Sequence, residues 1–109
     1  MNELSEITQK IVSFRDDRNW EQFHTPKDLA ICLNVESSEL LELFLWNNDD
    51  VISIEKAKEE LADVFYSAFL IAHHYKFDIK EIIFEKLKKN EQKYPIEKSK
   101  GTSKKYNEL

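Results

Sequence analysis

The chain has 109 residues, with 16 Lys and Arg against 21 Asp and Glu. That length suits one domain, and the acidic balance lacks the basic surplus of a protein that grips a nucleic-acid backbone. The only glycine is Gly101, so a Gly-rich phosphate loop and a dinucleotide fingerprint are both excluded. Cys32 has no internal partner and reads as a small buried hydrophobe in a reducing compartment. The longest apolar run, Val64 to Ala72, is about half of a membrane span. The start, MNELSEITQK, lacks the apolar stretch of a signal peptide, so a cytoplasmic location and no membrane partner are expected.

Leu4, Ile7, Ile11 and Phe14 recur at three and four residues and predict an amphipathic helix over about 3–18. Asn19 to His24 break that pattern. Thr25, Pro26 and Asp28 then form a start signal, with Thr25 as N-cap, and a second helix is expected to run to about Trp46. The polar cluster Asn47 to Asp50 predicts a turn. A third helix follows over about 52–75, capped by Asp50 or Ser53. Asp78 and Glu81 resemble a capping box that opens a fourth helix, which ends near Lys93 before Pro95. Short connections between long helices predict an all-α, four-helix bundle. The third helix is apolar almost all round, which predicts a homo-oligomer, a dimer or a tetramer. Residues 1–95 are expected to form the domain, and 96–109 a basic, mobile tail.

Two acidic pairs stand out: Glu36 with Glu39, and Glu60 with Asp63, each three residues apart on one helix face. Like charges at that spacing cost about 0.2–0.5 kcal/mol per pair on an exposed helix. Their neighbours Leu33, Leu40, Leu61 and Val64 place them near a core, where the cost is larger. The residues between Glu39 and Glu60 suffice to finish one helix, turn and climb the next until the pairs face each other. Four carboxylates so placed give the oxygen-rich site that Mg²⁺ requires. Glu42, Glu55 and Glu59 read as solvated acids, with Glu59 near enough to assist.

A di-iron site needs a Glu-x-x-His pair on each of two helices, and the chain offers only Glu21 to His24. His73 and His74 lie about three turns beyond Asp63 and read as surface or packing residues. Trp20, Phe23 and Trp46 could offer ring faces to a nucleobase or fill a core. Lys86, Lys89, Lys93, Lys104 and Lys105 are candidate phosphate partners.

Together, FRDDRNWEQFHTPKDLA, ESSELLELFLW, EELADVFY, NEQKYP and SKGTSKKYNEL resemble the MazG-type all-α nucleoside triphosphate pyrophosphohydrolases, closest to their dCTP pyrophosphatase branch. The resemblance covers nearly the whole chain. It implies that Glu36, Glu39, Glu60 and Asp63 bind Mg²⁺ and carry catalysis. It further implies that Trp20, Glu21, Gln22, Phe23, His24 and Trp46 surround base and sugar, and that Asn90 and Lys93 reach the phosphates. The branch carries a substrate-contacting Tyr four residues after the last acid. This chain has Ser67 there and Tyr66 one place earlier, a rotation of about 100° on a helix. The expected reaction is Mg²⁺-dependent hydrolysis of a deoxynucleoside triphosphate, dCTP or a modified dCTP, to monophosphate and pyrophosphate in nucleotide-pool sanitation. The alternative is a helical module that binds nucleotide or oligomerises without turnover.

Overall fold

The computed structural model describes residues 2–46 and 52–109, and the described part is helical with no strand. Helix α1 (Glu3–Asp17) begins at Asn2, whose side chain accepts the Ser5 amide hydrogen at 2.8 Å. It ends one residue sooner than expected, at Arg18 and Asn19. Asn19 has φ 55°, and this left-handed turn, tolerable for an Asn, reverses the chain. The backbone N–H of Trp20 then donates to the Arg15 carbonyl at 3.1 Å, and a 3-10 turn, Glu21–Phe23, follows.

Thr25 caps α2 (Pro26–Glu42) as expected: its hydroxyl accepts from the Asp28 amide at 3.1 Å, and Pro26 opens the helix. The helix stops at Glu42, short of Trp46. Tight bonds from the Leu43 amide to Leu40 O and the Phe44 amide to Leu41 O wind the chain into a turn over Leu43–Trp46. The expected turn over 47–50 and the cap at Asp50 lie outside the described residues. Ser53 caps α3 (Ile54–His74), accepting from the Lys56 amide.

The chain divides into two compact units, Met1–Lys76 and Phe77–Leu109. In the first, α2 packs along α3, and α1 joins α3 over a shorter contact. Leu29 of α2 and Phe69, Leu70 and Ala72 of α3 are its buried apolar residues, with Leu70 only 1% exposed. Burying a leucine to that degree contributes about 1.5–3 kcal/mol. Cys32 is exposed, which corrects its reading as a buried hydrophobe. It lies one turn from Leu29 on α2, and both border the same open cavity.

The second unit holds α4 (Ile79–Lys93), capped by Asp78, whose side chain accepts from the Glu81 amide at 2.9 Å. A single helical turn, α5 (Ile96–Ser99), and a 3-10 turn, Tyr106–Glu108, complete it. Tyr106 meets Tyr94 edge to face at 6.2 Å. No described helix is long and apolar enough to cross a membrane.

Candidate active site

Three of the four predicted acids converge in the first unit. Glu36 from α2 and Glu60 and Asp63 from α3 each offer a carboxylate oxygen, all within 4.8 Å of one another. Glu36 and Glu60 are half-buried, and Asp63 is exposed. The Oε2 atoms of Glu36 and Glu60 are buried and accept no hydrogen bond. Burial raises the pKa of both glutamates above the usual 4.5, and the adjacent Glu39 carboxylate raises each further, followed by Asp63. Glu39 itself is exposed, yet it acts on both helices' acids from the rim of the cluster. The charge of Glu59 also raises the Glu60 pKa.

Buried, hydrogen-bond-starved carboxylate oxygens set among like charges are unfavourable without a cation. An all-oxygen donor set with two orphaned acceptors fits a hard divalent ion such as Mg²⁺ and suits a soft metal poorly.

Glu36 and Asp63 also line a cavity of about 500 Å³. Phe14 and Lys10 of α1, Trp20 and His24 of the connecting segment, and Tyr66 and Ser67 of α3 share its wall. The Phe14 ring meets the Trp20 ring edge to face at 5.8 Å and the Tyr66 ring at 6.1 Å. His24 Nδ1 and the Tyr66 hydroxyl are buried with no hydrogen-bond partner. Burial raises the Tyr66 pKa above 10.0, against the lowering influence of Arg15 and Arg18, so the phenol keeps its proton at neutral pH and can donate. The one-place shift between Tyr66 and Ser67 does not remove Tyr66 from this wall: both residues line the cavity, and Ser67 is buried.

Glu21, Gln22, Phe23 and Trp46 of the first unit are not among the residues of this wall. Of the segment Trp20 to His24, only the two ends line the cavity. Glu21 lies 3.7 Å from the Arg15 guanidinium, Gln22 Nε2 donates to the Asn19 carbonyl at 2.9 Å, and the Phe23 ring is 63% exposed. The tight 3-10 turn directs these three side chains outward. Trp46, 92% exposed, ends the turn after α2 and is absent from the wall. Asn90 and Lys93 belong to the second unit, where Lys93 Nζ sits 4.9 Å from the centre of the Tyr106 ring. His73 and His74 are exposed, and His74 packs edge to face on Tyr75. Sequence reasoning missed Lys10, Phe14, Cys32 and Ser67 as cavity residues. Phe14 carried the signal of an ordinary apolar helix position, and nothing in that periodicity marks a ligand wall.

With this geometry, residues 31–109 match the model of the MazG-like family. The mouse protein dCTP pyrophosphatase 1 is 34% identical over 114 residues, covering 97% of this chain and 67% of the relative. The human protein of the same name is 33% identical over 114 residues, with the same coverage. The crystal structure of a pyrophosphatase from Archaeoglobus fulgidus superposes with a TM-score of 0.77 at 31% identity, covering 87% of this chain and 94% of that one. These similarities place the chain in the class of nucleoside triphosphate pyrophosphohydrolases. The chain is a member of the MazG-like family.

Proposed function

We propose that this protein hydrolyses a pyrimidine deoxynucleoside triphosphate, dCTP or a base-modified dCTP, to the monophosphate and pyrophosphate. The observation that carries this reading is the sharing of Glu36 and Asp63 between the acidic cluster and a cavity walled by Trp20, Phe14, His24 and Tyr66. A triphosphate held at the acids would therefore have its base within the aromatic wall. Similarity to two mammalian proteins named dCTP pyrophosphatase 1 supports the substrate class.

Glu36, Glu39, Glu60 and Asp63 would hold Mg²⁺. When bound, the ion supplies positive charge to the phosphate oxygens and a more acidic water. Glu39, at the rim of the cluster, orients water for in-line attack on the α-phosphorus, and the bond from that phosphorus to the bridging oxygen of pyrophosphate breaks. Lys10 adds positive charge to the cavity wall. The Trp20 ring offers a stacking face, and the Tyr66 hydroxyl and His24 Nδ1 offer polar contacts to base and sugar. Asn90 and Lys93 are assigned to the phosphates, and Trp46 to the base, on motif resemblance alone.

The exposed apolar side chains Ile31, Val35, Leu61 and Phe65 of the first unit support assembly as a homo-oligomer, dimer or tetramer. A role in cleansing the cytoplasmic nucleotide pool accords with this chemistry. The deciding experiment is pyrophosphate release from a panel of canonical and base-modified dNTPs and NTPs, with Mg²⁺ and with chelator. Chelator-sensitive turnover of pyrimidine deoxynucleotides is expected. Stoichiometric binding without release would instead identify a non-catalytic binding module.

A further inference from the structure

Arg18 stands just outside the cavity, at the C-terminal end of α1, and does not belong to its wall. Its Nη1 donates to the Phe14 carbonyl at 2.9 Å, and its guanidinium lies 3.7 Å from the centre of the Phe14 ring and 5.9 Å from that of Trp20. Phe14 in turn meets Trp20 and Tyr66 edge to face. One cation therefore touches the hub of a three-ring wall and also caps the carbonyl beneath it.

The backbone explains why such a brace is needed. Trp20 reaches the wall only because Asn19 adopts φ 55° and the Trp20 amide folds back onto the Arg15 carbonyl. Trp20 is 41% exposed and Phe14 42%, so surrounding side chains do not fix these rings by burial alone. A planar guanidinium over a ring face supplies orientation that neighbouring apolar contacts leave undetermined.

We propose that Arg18 is a positioning residue that holds Phe14, and through it Trp20, in the orientation that receives the pyrimidine ring of the substrate. The proposal rests on the nucleotide reading of the site and deepens it. Arg18 touches no reacting atom and acts on the base-binding half of the site, so its loss weakens binding of the base and leaves the phosphate half intact.

The test uses Arg18→Met and Arg18→Lys in the 109-residue chain; emission is read with Trp46→Phe added, so that it reports Trp20 alone, and turnover and inhibition are read with Trp46 intact. Two readouts are taken: the fluorescence anisotropy decay of ligand-free Trp20, and inhibition of turnover by a pyrimidine deoxynucleoside and, separately, by pyrophosphate with Mg²⁺. With Arg18→Met, faster Trp20 motion is expected, with about fivefold weaker inhibition by the deoxynucleoside and less than about twofold change in kcat or in inhibition by pyrophosphate. Arg18→Lys keeps a cation over the ring and recovers part of the loss. Unchanged Trp20 motion in Arg18→Met, or equal weakening of both inhibitors, would overturn the proposal. Absence of turnover in the parent protein would overturn the nucleotide reading instead, and the anisotropy measurement would still decide whether Arg18 restrains Trp20.

Discussion

Glu36 on α2 and Asp63 on α3 place carboxylate oxygens within 4.8 Å of each other while lining one cavity with Trp20 and Tyr66. Two like charges so close, beside an aromatic wall, join an ion site to a base site. Each half can be probed separately.

The first prediction concerns pH. Glu36 and Glu60 bind protons more tightly in the folded protein than at the usual value of 4.5, so the native state carries more protons than the unfolded chain above that pH. Stability of the metal-free protein should accordingly be greatest below about pH 4.5 as far as these two groups decide it, and fall as pH rises through their raised pKa values. Mg²⁺ binds the ionised form and should offset the fall at neutral pH. Thermal melts from pH 4 to pH 8, in chelator and in excess Mg²⁺, measure both effects; a melting point indifferent to Mg²⁺ at pH 8 would count against the site.

Neutralising the acids should separate stability from activity. Glu36→Gln and Asp63→Asn are expected to lower turnover at least about 10²-fold. The same variants should melt at or above the parent temperature in chelator, because each removes a like charge from the cluster. Pyrophosphate release and melting curves on the same samples check the pair of signs.

Tyr66→Phe deletes a buried hydroxyl that has no partner in the free protein. The variant should be at least as stable as the parent, by up to about 1 kcal/mol, yet bind nucleotide about fivefold more weakly. Weaker stability with unchanged KM would show that the hydroxyl serves the fold and not the ligand.

Two aromatics three residues apart in sequence have different fates. Trp20→Ala should raise KM by about tenfold, the loss of one stacked base. Phe23, 63% exposed and outside the cavity, should tolerate Ala with less than about twofold change. Steady-state kinetics on the two variants test the outward orientation of the 3-10 turn.

The helices and the caps at Thr25 and Asp78 are legible in the sequence, because capping and apolar periodicity are local properties of the chain, while for α3 the sequence offers Asp50 or Ser53 and the structure uses Ser53. It also singled out Glu36, Glu39, Glu60 and Asp63, since acids at three-residue spacing beside leucines announce their own electrostatic cost, whereas the tertiary structure brings together Glu36, Glu60 and Asp63. The tertiary structure decided which side chains share the cavity. Asn19 takes the left-handed region, and that one dihedral carries Trp20 back over α1 to meet Phe14. The 3-10 turn after it directs Glu21, Gln22 and Phe23 away from the wall, and the early end of α2 leaves Trp46 exposed. Periodicity does not encode these outcomes. A single residue's choice between backbone wells is settled by contacts that periodicity does not register, here the Trp20 amide on the Arg15 carbonyl and the Trp20 ring on Phe14.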